Sequence, residues 1–303
     1  TIEEKPYSEE NELIAWHHDH SKKGVDKMVK GIQILTFTYV SEAKDLLLKL
    51  PIGFDLVRKN IKTIDPKTQK EQRKSSVSKN ELLQKRLKIL AHTNNVKFKY
   101  VCWDKWFSSA DNMRFVVLDI KKHFVCPLKS NRNISFDLDM DKKTSKKEWV
   151  SVKQANLEPN RIYEVCLKEV PFKLHLTKKV FHNLNGSVGV QYLVTSDTDL
   201  TIDEIDAKYK KRWSSEELHR SLKQNTGLEK LPAKVENSQA NHIFASMIAQ
   251  VKLEGLKMCT KQHHYSLKRN VLIQSLKHAW VEIQKLKELC LEKNILLPNF
   301  KTA

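Results

Sequence analysis

Four residues in one short stretch combine a carboxylate, two cations and a phenol at regular spacing. The pattern is Y-x2-R-x3-E-x6-K, formed by Tyr209, Arg212, Glu216 and Lys223. At about 100° per residue of an uninterrupted α-helix, all four side chains project within one stripe. The opposite side carries three apolar residues that predict a buried back: Ala207, Leu218 and Leu222. Such a face suits a metal ion beside a phosphate, because the acid binds the metal and the cations bind the anion.

The same spacing is also typical of a solvated amphipathic helix with charge pairs three or four residues apart. Charged helices of that kind are common in soluble proteins. On spacing alone, both interpretations stay open.

A second acid, Asp104, follows the apolar run 96–103 and begins the sequence Asp-Lys-Trp-Phe-Ser-Ser. The pattern predicts a strand that ends at Asp104 and a helix that follows over 108–122. In α/β folds, functional groups collect at the carboxyl ends of sheet strands. For any one Asp taken alone, an ordinary turn residue is the more frequent case.

Composition restricts the partners of the chain. Among 303 residues there are 54 Lys and Arg against 36 Asp and Glu, a formal net charge of +18. This excess indicates polyanionic partners, nucleic acid first and an anionic membrane surface second. No apolar run approaches the roughly 20 residues of a bilayer span. The five cysteines are odd in number and include no C-x2-C pair, which argues against a disulfide framework or a zinc ribbon and favours reduced thiols in the cytosol.

The order of predicted elements indicates an α/β fold with a mixed sheet. Strands are predicted over 31–40, 53–58, 96–103 and 123–128, helices over 80–92 and 108–122, and an exposed loop over 59–79. The section 133–196 has three β-rich runs, near 161–168, 172–181 and 188–195, which predict an antiparallel insertion or an extension of the sheet. After Thr201 the pattern is almost entirely helical, and Thr201 with Glu204 forms a capping box.

Taken together, these segments resemble the DDE transposases of bacterial insertion sequences, in the group named for the Y-x2-R-x3-E-x6-K motif. The resemblance covers essentially the whole chain and is most specific around Arg212-Trp213 and Glu216. Further matching segments are Trp16-His17-His18-Asp19-His20, Lys30-Gly31-Ile32, Asp104-Lys-Trp106-Phe107-Ser-Ser, Lys129-Ser-Asn-Arg132, Thr195-Ser-Asp197 and Asn241-His242.

The resemblance implies an RNase H-like mixed sheet flanked by helices, with a β-rich insertion between the second and third catalytic acids. It divides the chain into the first part of the core (1–132), the insertion (133–196), and the helical remainder with C-terminal helices (197–303). By analogy, Asp104 is the second acid and Glu216 the third, and both are catalytic metal ligands for two Mg²⁺ or Mn²⁺ ions. The implied DNA-binding residues are Tyr209, Arg212, Trp213, Arg220 and Lys223.

The implied function is metal-dependent cleavage and strand transfer at insertion-sequence ends. The implied partners are double-stranded DNA, as transposon ends and target, and a second copy in a homodimer on DNA, with no membrane. The implied location is the bacterial cytoplasm, at the nucleoid. In this group the first acid lies on the opening strand, before a segment like 2–6, and this chain begins at Thr1. We therefore expect the first catalytic Asp to be absent from the chain, and the polypeptide alone to be unable to cleave or join DNA.

Other clusters have alternative interpretations. Segment 16–20 could form a small zinc site, although adjacent residues converge poorly on one ion, so a loop that contacts DNA or packs beside the active site is favoured. Asp197 is interpreted as a structural turn residue or helix cap. The pairs Lys142-Lys143 and Lys146-Lys147 suggest a solvated hairpin tip. Three function classes remain: a DDE transposase, a non-catalytic DNA-binding remnant of a decayed transposase, and an RNase H-like nuclease.

Overall fold

The computed structural model describes residues 1–18, 27–43, 46–66, 69–140, 146–231 and 235–293. The chain divides into two compact units, one made of 1–40 and 51–219 and the other of 41–50 and 220–303. None of the helices within these described ranges has the length and apolar character needed to cross a membrane.

The chain begins with a small sheet in which β1 and β2 both pair antiparallel with β3, and β4 pairs with β3 as well. The strands are β1 (Ile2–Glu4), β2 (Ile14–His18), β3 (Met28–Ala43) and β4 (Leu46–Leu56). Gly31 lies opposite both Glu4 and Ala15, and a Cβ atom there would approach the Glu3 carbonyl oxygen to 2.2 Å. Only glycine lets the backbones come this close. The strands predicted over 31–40 and 53–58 lie in β3 and, for the most part, in β4.

The exposed loop predicted over 59–79 is a hairpin of β5 (Ile61–Ile64) and β6 (Glu71–Lys74). The segment is largely exposed, as predicted. Its polar composition concealed the strands because a hairpin held by backbone pairing does not need a buried face.

The second sheet has seven strands in the order β10-β9-β11-β12-β13-β8-β7. They are β7 (Tyr100–Cys102), β8 (His123–Leu128), β9 (Asn133–Ser135), β10 (Val150–Ser151), β11 (Ile162–Leu167), β12 (Leu174–His182) and β13 (Val188–Thr195). β7 and β8 are parallel, and the other neighbouring strands of this sheet pair antiparallel. The three β-rich runs of 133–196 thus extend the sheet that contains β7 and β8. Of the strand predicted over 96–103, only the last part pairs.

Helices cover this sheet with apolar side chains. α1 (Lys79–Lys88) and α2 (Ala110–Arg114) each continue into a single π-helical segment, Ile89–Thr93 and Phe115–Asp119. The buried residues of these helices and of the sheet form one core. From the helices it includes Leu83, Leu87, Met113 and Val116, and from the sheet Phe124 and Leu174. α3 (Ile202–Lys210) packs Ile205 into a smaller cluster with Val125 and Leu193.

The second unit is mainly helical. α4 (Ser214–Asn225) begins in the first unit, and α5 (Glu236–Thr260) and α6 (His264–Glu292) follow. A buried ionic group joins α5 to α6: Glu254, 1% exposed, lies 3.1 Å from Lys257 Nζ and 3.3 Å from His264 Nε2. Lys257 also donates to the carbonyl oxygen of Leu47 at 2.9 Å.

Candidate active site

Asp104 stands just beyond the carboxyl end of β7, the edge strand of the seven-stranded sheet. Its carboxylate accepts a hydrogen bond from the backbone N–H of Trp106 at 2.9 Å and so caps the 3₁₀ turn Lys105–Phe107. The residue is exposed. The turn therefore fixes the carboxylate while leaving it accessible from solvent.

The segment 201–225 is not one continuous α-helix. Thr201 caps α3 in the predicted capping box with Glu204, and a 3₁₀ turn at Lys211–Trp213 separates α3 from α4. A 3₁₀ helix rotates about 20° more per residue than an α-helix, so the uniform stripe expected from the sequence is shifted across the turn. Leu218 and Leu222 are buried as predicted, but Ala207 is exposed, and α3 buries Ile205 instead.

Arg212 organises the surface around this turn. Its guanidinium lies 5.7 Å from the Tyr209 ring centroid and 5.9 Å from that of Trp213. Its Nη1 is 3.3 Å from Glu216 Oε1, an i,i+4 ion pair that survives the 3₁₀ turn. The Nε atom is buried and has no hydrogen-bond partner within the described part of the chain. Arg212 is therefore held between two rings with one donor group still unused.

The pKa of Tyr209 reflects its burial and the charges around it. Burial is the largest cause that raises the pKa of the Tyr209 phenol, Arg212 acts to lower it, and the charge of Asp104 raises it. Nearby, the Cys102 thiol of β7 lies 3.5 Å from the Lys208 carbonyl oxygen, so the end of β7 packs against the end of α3. The segment that ends in Asp104 and the segment that leads to Arg212 and Glu216 thus lie on neighbouring elements.

The start of α4 is fixed to β3 by two side-chain hydrogen bonds. Ser215 Oγ donates to Thr38 Oγ1 at 3.1 Å, and Thr36 is bonded to the His219 imidazole. These contacts lie on either side of Glu216. They therefore hold the first turn of α4 in place without using the carboxylate.

The sequence matches the family described as "Transposase DDE domain" over residues 67–251, more than half of the chain. The chain belongs to this transposase DDE domain family. Its mixed α/β architecture, with a large mixed sheet flanked by helices, is consistent with the RNase H-like transposase fold. No curated protein shows significant similarity to the chain.

Within the DDE domain, the matched span includes both Asp104 and Glu216. Proteins of this family generally use divalent metal ions. Among the residues that the structure describes, no three His, Cys, Asp or Glu side chains form a group that could hold a metal. An ion bound at the predicted site would have two exposed protein carboxylates as ligands, those of Asp104 and Glu216. Mg²⁺ can bind with one or two carboxylates when water and substrate phosphate supply the other ligands. The roles of Asp104 and Glu216 stay predictions.

The other residues predicted to contact DNA are accessible to different degrees. The Trp213 side chain is 56% exposed and Arg220 is exposed. Lys223 is partly buried, and its ammonium lies 2.5 Å from Glu229. To bind a phosphate, Lys223 would have to exchange that carboxylate, whereas Arg220 and Trp213 are open to solvent.

Two alternatives from the sequence find structural explanations. Asp197 is buried, accepts a hydrogen bond from Tyr100 Oη at 2.5 Å and lies 3.2 Å from Lys99 Nζ, as suits a structural turn residue. His17 is buried, and burial with the charges of Lys59 and Lys79 lowers its pKa to about 4. Asp19 and His20 of the zinc alternative, like Lys142 and Lys143, lie outside the described residues.

Sequence reasoning missed the residues that support the site. Nothing in the sequence marks Thr36 and Thr38 as part of a site. Their role becomes visible only in the structure, where they form hydrogen bonds with residues of α4. Burial is the largest cause that lowers the pKa of Lys79, the charge of Lys59 lowers it further, and the charge of Asp104 raises it. A capping box formed by Ser78 and Glu81 is visible in the sequence and places Lys79 at the first position of α1.

Proposed function

We propose that the chain forms part of the catalytic core of a DDE transposase that cleaves and joins DNA at insertion-sequence ends. In this proposal Asp104 and Glu216 are two of the carboxylates that bind divalent ions. Two such ions, when bound, stabilise the attacking and leaving oxygens of an in-line displacement at phosphorus. The location follows from the substrate: the bacterial cytoplasm, at the nucleoid.

The observation that carries the proposal is the packing of the end of β7, just before Asp104, against the end of α3, where the Cys102 thiol lies 3.5 Å from the Lys208 carbonyl oxygen. Arg212, in the turn that follows α3, pairs with Glu216 at 3.3 Å. This packing supports neighbouring positions for two acids that are more than 100 residues apart in sequence. Arg212 contacts the Glu216 carboxylate at 3.3 Å and would hold its orientation. The planar donors of a guanidinium are also well suited to bind a phosphate.

A double-mutant cycle on metal binding tests whether the two acids share a site. The melting temperature of the chain is measured with and without millimolar Mn²⁺ for the parent chain, Asp104→Asn, Glu216→Gln and the double variant. If the ion lies between the carboxylates, each single change removes most of the metal-dependent shift and the double change removes little more. The matched controls Asp111→Asn and Glu217→Gln change exposed acids nearby in sequence and keep the shift.

Full metal-dependent stabilisation in both single variants would contradict the assignment of Asp104 and Glu216. DNA binding with no metal-dependent shift in the parent chain would instead favour the non-catalytic DNA-binding remnant. The first result would reject these two residues as metal ligands. The second would reject metal binding by the chain while DNA binding remains.

We propose that Tyr209, Arg212 and Trp213 contact DNA beside the acids, and that Arg220 and Lys223 contact DNA phosphates. The net charge of +18 supports a large phosphate-binding surface. Alanine at Arg220 or Lys223 should reduce the slope of log affinity against log salt by about one each. Fluorescence anisotropy of a labelled duplex at several salt concentrations measures the slope, and an unchanged slope would remove that residue from the interface.

We further propose that the chain forms a homodimer on DNA through α6. Of the α6 residues, all within the described range, Leu267 is the one that is buried. The apolar positions alternate at spacings of four and three: Leu272, Leu276, Ala279, Ile283, Leu286 and Cys290. This is the 3.5-residue repeat of a coiled coil, and a β-branched residue at one seam position with Leu at the other favours two strands.

Charges beside this seam favour a second copy in parallel orientation. Glu282 precedes Ile283, and Lys287 follows Leu286. In a parallel pair these flanking positions face each other across the interface, so Glu282 of each copy meets Lys287 of the other. An antiparallel pair would instead bring like charges together.

A further inference from the structure

Trp106 is a large aromatic residue in an unusual position. It lies two residues after Asp104, within the 3₁₀ turn that Asp104 caps, and its side chain is 56% exposed. The Lys79 ammonium lies 5.4 Å from the centroid of the indole. A half-exposed indole with a cation over its ring combines an apolar surface with a positive charge.

Lys79 and Trp106 come from separate elements that a buried amide holds together. Asn112, which is fully buried in α2, donates from Nδ2 to Asn80 Oδ1 at 3.0 Å and to the Phe107 carbonyl oxygen at 2.9 Å. Asn80 follows Lys79, and Phe107 follows Trp106. Gln84 of α1 completes the network by donating to Asn112 Oδ1 at 2.9 Å. The backbone segments that carry Lys79 and Trp106 are therefore held together by the hydrogen bonds of a buried side chain.

The surroundings of Lys79 favour an anion. Lys79 is half-buried at the first position of α1, where the helix dipole also attracts negative charge. Burial lowers the pKa of Lys79 and the nearby charge of Lys59 lowers it further, while Asp104 acts in the opposite direction. Lys59 is itself partly buried and donates to the Trp16 carbonyl oxygen. A phosphate bound at Lys79 would be attracted by both ammonium groups and repelled by the Asp104 carboxylate.

We propose that Trp106 and Lys79 form a further DNA contact beside Asp104, in which the indole stacks on an unpaired base and the ammonium binds an adjacent phosphate. A base inside a duplex has no free face, so the contact requires a strand end or a distorted step. The contact would hold such an end close to the carboxylate of Asp104. This inference rests on the proposed function, because the ligand is the DNA on which the site would act.

The test compares two labelled duplexes that differ only in a short single-stranded overhang, with anisotropy as the measure of affinity. The parent chain should prefer the overhang duplex by on the order of tenfold, the range of one base stacked on an aromatic ring. Trp106→Ala should lose this preference, and Trp106→Phe should keep part of it because a ring remains. Lys79→Ala should weaken both duplexes and reduce the salt slope by about one.

Lys99→Ala is the matched control. Lys99 also lies over an aromatic ring, 5.1 Å from the Tyr100 centroid, but it precedes β7 whereas Asp104 follows that strand. It should leave the preference for the overhang unchanged. A base analogue such as 2-aminopurine in the overhang gives a second readout, since stacking on Trp106 quenches its fluorescence.

Two different failures can be told apart. If Trp106→Ala folds, binds DNA and retains the full preference for the overhang, the stacking contact is wrong while the proposed function stands. If the parent chain binds neither duplex, the proposed function fails first. Thermal melting of each variant establishes that the fold is intact, and Trp106→Phe keeps the test decisive if the alanine variant unfolds.

Discussion

At the scale of single residues, Arg212 is the group on which the proposed site depends most. It contacts two aromatic rings and a carboxylate, while its buried Nε has no partner among the described residues. A buried donor without a partner is costly. In the proposed function the arginine would support Glu216 in the free protein and contribute a phosphate ligand in the complex with DNA.

Replacement of Arg212 should weaken DNA binding more than replacement of its neighbour. We expect Arg212→Ala to reduce affinity for a duplex by on the order of tenfold, the loss of one charge-assisted contact. Arg212→Lys should recover little, because an ammonium cannot form the bidentate or stacked contacts. Lys211→Ala, in the same 3₁₀ turn, is the control for general charge. Equal effects at the two positions in anisotropy titrations would contradict a specific role for Arg212.

His17 should make the free energy of unfolding depend on pH. Its folded-state pKa of about 4 is below the ordinary 6.5, because burial and then the charges of Lys59 and Lys79 oppose protonation. Below pH 6.5 His17 is protonated in the unfolded chain but stays neutral in the folded chain. The free energy of unfolding therefore falls as the pH is lowered, until the pH reaches about 4. The loss attributable to His17 should be about 3 kcal/mol.

Denaturant unfolding across this pH range measures the effect. His17→Gln should flatten the dependence on pH, because an amide does not titrate in that range. His18→Gln changes the exposed neighbour on the same strand and should leave the curve as it is. A His17→Gln protein with the parental dependence would show that another group controls the acid response.

At the scale of elements, the sequence predicted the regular parts of the fold better than their junctions. β8 and β13 both coincide with their predictions, because each apolar run is bounded by polar residues. The β5–β6 hairpin was missed because its two isoleucines, Ile61 and Ile64, stand among many polar residues. The 3₁₀ turn at Lys211–Trp213 was missed because residue spacing is the same whether the helix is continuous or tightened there.

The candidate site divides in the same way. Tyr209, Arg212 and Glu216 could be named from their spacing, since an i,i+4 pair and an i,i+3 contact are local. Lys79 and Asn112 could not be named, because they meet Trp106 and Phe107 only after α1 and α2 pack on the sheet. Sequence thus identified groups within one turn of each other and missed the frame that supports them.

The buried carboxyl group of Glu254 should contribute to the stability of the second unit. Its carboxylate is 1% exposed and lies within 3.3 Å of two basic side chains on α5 and α6. Removing one member of such a group leaves the others buried without compensation. We expect Glu254→Ala to lower the free energy of unfolding by about 3 kcal/mol.

The comparison is with Asp111→Ala, which breaks an exposed i,i+3 pair with Arg114 and should cost less than about 1 kcal/mol. Urea unfolding followed by circular dichroism measures both variants. A small effect of Glu254→Ala would mean that water reaches this group when the carboxylate is removed.

At the scale of the whole molecule, charge and assembly are connected. A chain of net charge +18 repels its own copies, so a dimer should form most readily when DNA neutralises part of that charge. Contact through an apolar helix face then adds to the attraction of both copies for one DNA molecule. Assembly should therefore depend on DNA and on salt together.

Cys290 offers a direct test of the parallel α6 pair. In that arrangement the two copies place Cys290 at the same seam position, where mild oxidation should link them. We expect a disulfide dimer in the parent chain and in Cys259→Ser, and its loss in Cys290→Ser. Ile283→Glu should give a monomer in analytical ultracentrifugation, because a charge enters the middle of the seam.

If oxidation gives no more disulfide dimer in Cys259→Ser than in Cys290→Ser, the parallel register is contradicted. A dimer that survives Ile283→Glu would place the interface elsewhere on the chain. Both results leave the proposals for Asp104, Glu216 and Trp106 unaffected.

The two π-helical segments, Ile89–Thr93 after α1 and Phe115–Asp119 after α2, have an evolutionary consequence. A ring closed from i to i+5 holds one residue more than the α-helical ring from i to i+4, so each segment is equivalent to a single inserted amino acid. Homologues that lost the extra residue should show a one-position gap at these places in an alignment. Engineered deletion there should shorten the chain while preserving the helices on both sides, which makes these the least disruptive points for trimming the domain.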